Sequence, residues 1–587
     1  MDQYRDRATA ADAGVALVPS GFAKRILGAA PLGDLVGTPV IGALAITLSG
    51  VASRLLGLLR DRLLAHAFGA GPVLDSYFAA YRIPDLLYNL LIAGALSAAF
   101  LPIVSRHLAA GAAGHTRAFR VANALLSLGT ALVVGIALVL ALFTPALVRA
   151  VVPGFDPERA RLTTLLTRIM LLQPVLLGAS SILSGLLLAF HRFAAFAAAP
   201  VLYNAGIIVG ILVFVPVLGL SGLAWGVVFG AALHLLVHIP AVARLGFRLH
   251  PTWSLAPDSL RGVARLFLPR LVALLGNQVG GFIVTVVGSG LLAGSISAYL
   301  FADNLRSVPL GLIGIPLAVA AFPFLAAAAA RQQAGRFVAT LADTVRLTLF
   351  FTVPASVFFV LLRSQVVRVV LGTGSFSWED TRATFSVLGI LAVAVVAQSL
   401  IPLLARAFFS LHDTKVPMAI SLAAIGLHVL GAVLLVPLLG LRGLAWAAVC
   451  AALVECLLLL TMLHVRLNGL QDRVLFSSLG RVALASLAGG FVIQGPGVLL
   501  SFLGMSLEDR APVVRVAAQG LKGLIAAAVN MQTFWGVAAQ LAGCVLGGGL
   551  VFLVVCRTLR SSELRLLGTA WRTWRSSSPD ANGIPAA

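Results

Sequence analysis

Apolar runs of about 20 to 30 residues recur along the whole 587-residue chain, and they restrict its fold more than any other feature. A helix rising 1.5 Å per residue crosses a hydrocarbon core of roughly 30 Å in about 20 residues, so each run is long enough to span a bilayer. The runs are mostly Ala and Leu without strict alternation, so their backbone groups are satisfied within helices rather than between the strands of a barrel. With 60% hydrophobic residues, 11% charged residues and a mean hydropathy of +1.02, a soluble globular fold is excluded. The chain is expected to be an all-α polytopic membrane protein of about 14 transmembrane helices. The spans centre near residues 47, 92, 136, 176, 207, 231, 279, 312, 356, 397, 427, 452, 491 and 546.

The net charge of +21 is scattered through short loops rather than gathered on one domain, which argues against nucleic acid and for topology and anionic membrane lipids as its purpose. Fourteen spans with both termini inside place about 24 Lys and Arg in inside segments against about 12 outside, which favours cytoplasmic termini. The basic stretch Arg557 to Arg575, with Trp571 and Trp574, reads either as an amphipathic segment on the inner leaflet or as a disordered tail. Residues 1–36 lack the charged, apolar and small-residue order of a cleaved signal peptide. Cys450, Cys456, Cys544 and Cys556 fall in or beside apolar spans without metal-ligand spacing, and read as packing residues.

The chain resembles itself at a fixed offset of 221 residues. His191, Gly210, Pro216, Gly219, Leu220 and Gly222-Leu223-Ala224-Trp225 recur without a gap as His412, Gly431, Pro437, Gly440, Leu441 and Gly443-Leu444-Ala445-Trp446, and Pro102 maps on Pro323. An offset of six helices, an even number, leaves both halves in the same orientation, so the repeat is parallel about an axis along the membrane normal. The resulting division is a cytoplasmic segment 1–36, a six-helix half 37–245, a second six-helix half 246–465, two additional helices within 466–557, and a basic cytoplasmic tail 558–587. Pro84 and Gly94 in span two and Pro309, Gly311, Gly314, Pro316 and Pro323 in span eight make these the broken helices of the two halves, where hinges and a transport site are expected.

Fixed charge is threaded through the region 40–110: Arg54, Arg60 and Asp61, then Asp75, then Arg82, followed by a 17-residue uncharged run ending at Pro102. A charged side chain at the bilayer centre costs roughly 2.5 to 3.5 kcal/mol on insertion scales, so these arginines are expected to face a polar cavity, and a cavity lined by arginine suits an anionic passenger. Asp303 and Arg306, three apart, can pair on one helix face. Glu455 in span twelve lies one helix from His428 in span eleven, and the two are candidates for coupling transport to Na+ or H+. No phosphate-cradling loop, His-Glu-x-x-His, CxxC or Gly-x-Ser-x-Gly element is present, so no enzyme, catalytic residue, cofactor or metal is expected. His191 and His412, in short loops, read as structural.

The blocks SRLLGLLRD, FGAG followed by Asp75, RIPDLL, GALSAAFLP, PRLVALLGNQ, FADNLRSVPLGLIGIPLA, HRFAAFAAAPVLYN, GLAWGVV and LLARAFFSLHDTKVP together resemble the MurJ/MviN lipid II flippases over residues 40–465. That resemblance implies a fourteen-helix fold of the multidrug/oligosaccharidyl-lipid/polysaccharide exporter superfamily in the bacterial inner membrane. It further implies alternating access through a cationic central cavity that carries undecaprenyl-pyrophosphate-linked disaccharide-pentapeptide (lipid II) from the inner to the outer leaflet for peptidoglycan synthesis. The last two helices would shape a groove for the lipid tail. By the same resemblance Arg54, Arg60, Asp61, Asp75, Arg82, Asp303 and Arg306 are the candidate substrate-binding residues. Two departures stand out: Tyr88 and Asn89 occupy positions where the family commonly has arginine, and Asn304 stands where the family reads Ala-Asp-Arg-Leu. Arg306 is two positions on, about 200° around a helix, and is no simple substitute unless the helix unwinds. The departures leave open an exporter of another polyprenyl-linked glycan, and the chain could also be a transport-inactive scaffold for envelope synthesis. A small-cation antiporter fits the arginines poorly, and a glycosyltransferase lacks a large outer loop.

Overall fold

A computed structural model of the chain describes residues 39–90, 104–108, 112–253, 278–502, 534–561 and 563–564. All regular structure among them is helical. The first half begins with α1 (Pro39–Phe68), α2 (Pro72–Ala80) and α3 (Arg82–Tyr88), followed by α4 (Ala112–Val151), α5 (Pro157–Met170) and α6 (Leu172–Ala189). It continues through α7 (Phe193–Val209), a π-helical turn (Gly210–Phe214), α8 (Val215–Leu218), α9 (Ser221–Leu236) and α10 (His238–Ala243). The second half comprises α11 (Gln278–Ser289), α12 (Ser295–Pro309), a π-helical turn (Leu310–Gly314), α13 (Ile315–Ala330) and α14 (Ala334–Leu361). It is completed by α15 (Arg363–Leu371), α16 (Trp378–Val393), α17 (Val395–Ser410), α18 (Lys415–Leu439) and α19 (Leu441–Leu467), and α20 (Asp472–Phe502) and α21 (Phe534–Thr558) follow.

Ten of the described helices are long and apolar enough to cross a membrane, or eleven when α16 and α17, bent by 44° at Ala394, count as one span. These account for all the expected centres except 47, which lies in α1, 279, which lies in α11, and 92, which lies outside the described residues. The hinge candidate Gly94, Pro102 and the tail residues Trp571, Trp574 and Arg575 also lie outside them.

Backbone geometry repeats at the 221-residue offset. His191 and His412 both have φ of 56°, and Gly219 and Gly440 have φ of 62° and 56°. The two histidines end α6 and α17 in the same way: the N–H of Arg192 returns to the carbonyl of Leu187 and that of Asp413 to Phe408, a left-handed closure that satisfies orphan carbonyls of the last turn. The π-turn at Leu310 sits between Pro309 and Pro316, and 221 residues earlier a π-turn begins at Asn89 in the segment opened by Pro84. A proline cannot donate to its helix, and the extra residue of a π-turn accommodates the lost bond.

Helices pack closely where glycines meet. A Cβ on Gly206 or Gly210 of the first half would stand 2.3 Å from the Cα of Gly230 or Gly226 on α9. The backbones of α7 and α9 therefore touch directly, as small residues at four-residue spacing allow in lipid.

Candidate functional site

Charged side chains gather where α1 to α3 of the first half meet α11 and α12 of the second. Arg60 donates from Nε and Nη2 to Asp61 Oδ1 at 3.0 and 2.8 Å and from Nη1 to Asn204 Oδ1 at 3.3 Å, while Asn204 reaches back to Ser53 Oγ at 3.1 Å. The other oxygen of Asp61, a residue only 3% exposed, accepts from Asn304 Nδ2 at 2.9 Å across the interface between halves. Asn304 thus fills its position with a neutral amide that bonds a carboxylate.

Arg306 does not take its place. α12 is regular through residues 304–306, so the two side chains diverge, and Arg306 pairs with Asp303 on its own helix and with Gln398 of α17. Tyr299 is 5% exposed and sits in the field of Asp303, Arg306 and Arg82.

Arg54 and Arg82 differ from Arg60 and Arg306 in having neutral partners. Arg54 Nη1 donates to the carbonyl of Ser307 at 3.3 Å, and Arg82 Nε donates to Thr285 Oγ1 at 2.8 Å. Neither makes an ion pair among the described residues, although Asp85 lies one turn beyond Arg82 on α3. Both guanidiniums pack against a glycine. A Cβ on Gly311 would come within 1.7 Å of Arg54 Nη2, and one on Gly281 within 2.7 Å of Arg82 Nη1.

Asp75, expected among the substrate-binding residues, stands apart from this group. Its side chain is 1% exposed and already saturated: Oδ2 accepts from the N–H of Gly294 at 2.6 Å, and Oδ1 accepts from the N–H and hydroxyl of Ser297 at 2.8 Å each. A carboxylate at a helix N-terminus is favoured by the orphan donors there and by the helix dipole, so Asp75 joins the halves. Gly294 has φ of 91°, and a Cβ on it would lie 2.1 Å from the carbonyl oxygen of Ala70. At the same end Ala70 N–H donates to Asp380 Oδ2 (3.1 Å), Ser375 N–H to the carbonyl of His66 (2.9 Å), Gly154 N–H to Ser289 Oγ (3.1 Å) and Arg62 Nη1 to the carbonyls of Val369 and Val370 (2.5 and 3.2 Å). The halves are closed against each other here.

Asp61 and Asp303 each pair with an arginine, Arg60 and Arg306 respectively. The ion-coupling candidates His428 and Glu455 have separate surroundings. Glu455 accepts from Ser421 Oγ at 2.6 Å, and His428, seven residues or about 10.5 Å further along α18, leaves its buried Nε2 without a partner. Side chains that sequence reasoning passed over are Tyr81 and Tyr203, whose hydroxyls bond each other, together with Asn204, Tyr299 and Gln398. Their signal was a polar residue inside an apolar helix, as in the pair Tyr203-Asn204.

The family profile described as "Lipid II flippase MurJ" matches residues 64–508. The chain is similar to the probable lipid II flippase MurJ of Rhizobium meliloti (strain 1021), 28% identical over 505 residues, covering 84% of this chain and 92% of that one. It is also similar to the probable lipid II flippase MurJ of Bdellovibrio bacteriovorus, 30% identical over 475 residues, covering 79% and 90%. Among solved structures, a lipid II flippase MurJ in an inward closed conformation superposes with a TM-score of 0.69 at 20% identity, covering 89% of this chain and 99% of that one. An inward-facing multidrug resistance MATE transporter of the MOP superfamily does so with 0.58 at 17%, covering 72% and 96%.

Proposed function

Since this chain belongs to the lipid II flippase MurJ family, and so is a multi-pass membrane transporter rather than an enzyme, we propose that it carries lipid II from the inner to the outer leaflet by alternating access of its two halves. The observation that carries this reading is the pair Arg54 and Arg82. Each is a permanently charged guanidinium on the first half, bonded among the described residues only to a neutral oxygen of the second. Guanidinium forks give bidentate, charge-assisted hydrogen bonds to phosphate oxygens, so these two are the groups with charge to spare for a pyrophosphate. Arg60 and Arg306, already neutralised by Asp61 and Asp303, position the headgroup rather than anchor it.

With both termini in the cytoplasm, as the distribution of Lys and Arg favours, the end closed by Asp75 is the outer one and the headgroup enters from the inner leaflet. Opening outward then requires release of the Asp75 bonds to Gly294 and Ser297, with the π-turns beside Pro309 and Asn89 absorbing the bend in the two broken helices. The two six-helix halves, the accessory pair that follows them and the basic tail on anionic lipid complete this arrangement. Ion coupling through His428 and Glu455 would use two separate sites, since Glu455 is held by Ser421. Asn304, where the family has arginine, favours a second reading in which the passenger is another polyprenyl-pyrophosphate glycan.

Binding of fluorescent lipid II to the protein in nanodiscs tests the proposal. Arg54→Ala and Arg82→Ala should each weaken it about tenfold or more, on the order of 1.5–3 kcal/mol for a charged hydrogen bond. A different polyprenyl-pyrophosphate glycan that binds more tightly would favour the second reading. Unchanged binding by both variants would remove Arg54 and Arg82 from the site, and no binding by the chain itself would leave it a scaffold.

A further inference from the structure

The first half contains a buried polar cluster remote from the charged interface. α9 and α10 meet at Val237, and His234 and His238 lie one turn apart on either side of it, facing Ser180 and Ser184 of α6. His238 is 0% exposed. Its Nδ1 donates to the carbonyl of His234 at 2.7 Å, which fixes the tautomer and leaves Nε2 facing Ser184 Oγ at 2.8 Å. Ser180 Oγ stands 2.7 Å from His234 Nδ1, 3.0 Å from the His234 carbonyl and 3.0 Å from His238 Nδ1.

A serine hydroxyl has one proton and two lone pairs, and here its partners suit two protonation states. With His234 neutral, the Ser180 hydroxyl donates to Nδ1. With His234 charged, Nδ1–H donates to Ser180, whose proton turns to the carbonyl 3.0 Å away. Ser184 Oγ can donate to neutral His238 Nε2 or accept from its N–H when the ring is charged. Neither state leaves a buried donor or acceptor on His234 Nδ1 or Ser180 orphaned, and among the described residues no carboxylate bonds the rings to hold them charged. The titratable groups on the packed elements are few. α6, the π-turn at Gly210 and α8 contribute none, and α7 contributes Tyr203. α5 contributes Glu158, Arg159, Arg161 and Arg168, of which Arg159 is bonded to Asp156 and Arg168 to the carbonyl of Ala141.

Tyr203 links this cluster to the interface. Its ring meets that of His234 edge to face at a centroid distance of 6.4 Å, and its hydroxyl bonds Tyr81, the residue between α2 and α3 that precedes Arg82. It also accepts from Gln173 Nε2 at 3.3 Å.

We propose that Ser180, Ser184, His234 and His238 form a proton-binding site, and that Tyr203 couples it to the passenger's anionic headgroup. A proton taken up here adds positive charge behind the arginine-bearing helices of the same half, so proton and anion favour each other's binding by the same factor. The coupling rests on the pyrophosphate reading above; the proton site does not.

Two measurements on the full chain in nanodiscs separate these claims. In the first, 15N-histidine NMR is followed from pH 4 to pH 8, with H234Q and H238Q as assignments, because glutamine keeps hydrogen bonding while removing the titration. Two resonances that titrate, each lost in one variant and each perturbed in the other, are expected. Resonances that stay neutral across the range would overturn the site. The second is binding of undecaprenyl pyrophosphate at pH 5 and pH 8, comparing the chain with the H234Q/H238Q double variant so that titration of the ligand itself cancels. The chain should lose about fivefold more affinity than the variant on going to pH 8. Equal losses would overturn the coupling, whereas no binding at either pH, with titration seen, would sink the pyrophosphate reading and leave the proton site standing.

Discussion

Asp75 of one half caps the first turn of α12 in the other, with one carboxylate oxygen taking both the amide and the hydroxyl of Ser297 at 2.8 Å. The contact replaces water at three donors of the α12 N-terminus, counting Gly294, and it does so only while the halves are together.

Asp75→Asn keeps the shape but turns one acceptor into a donor facing an N–H. An unsatisfied buried group costs about 1–3 kcal/mol, which comes off the closed state alone. Hydrogen exchange at residues 295–298 should rise by about tenfold or more, with overall folding retained.

Gly311→Ala tests the placement of Arg54. The new Cβ overlaps the guanidinium, the far end of a long side chain, and not backbone, so Arg54 moves while α12 and α13 stay in place. Lipid II affinity should fall several-fold with little change in Tm.

Gly226→Ala meets backbone instead, since its Cβ would lie 2.6 Å from the Cα of Gly210. The pair α7 and α9 must separate, at about 1–3 kcal/mol. Gly135→Ala, with nothing within 4 Å, is the matched control and should leave Tm unchanged.

Glu563, beyond the end of α21, is fully buried and accepts from Ser478 Oγ (2.7 Å), Ser561 Oγ (2.5 Å) and Arg346 Nε (2.8 Å). Burial alone would raise its pKa, but hydrogen bonds from Ser561, Ser478 and Arg346 outweigh it and lower it from 4.5 to about 2. A depressed carboxylate pKa gives stability that is complete above the unfolded value and is lost as pH falls toward the folded one. Docking of Ser561 and Glu563 on α14 and α20 should therefore weaken between about pH 4.5 and pH 2, read by limited proteolysis. In Glu563→Gln it should be weak already at pH 7, with that pH dependence gone.

Much of the architecture was legible in the sequence because it rests on local rules. Apolar length marked the spans, and the 221-residue register carried through to the shared φ of His191 and His412. The prolines around Leu310 marked a broken helix, which became a π-turn. What could not be read depends on register between distant segments. Asp75 looked like a ligand because the donors that saturate it lie more than 200 residues away. That Glu455 faces Ser421 depends on how α18 and α19 pack in register, which adjacency of the two spans does not give. His234 and His238 passed as residues of an apolar helix because their serines are on another one.

The most direct test of the central claim is complementation. The resident lipid II flippase is depleted from a bacterium, this chain is expressed, and lipid II exposed on the outer leaflet is quantified. Exposure should return with the chain and vanish with Arg54→Ala or Arg82→Ala at equal membrane abundance. No return of exposure by the folded, membrane-inserted chain, or full exposure from both arginine variants, would contradict lipid II transport through these two residues.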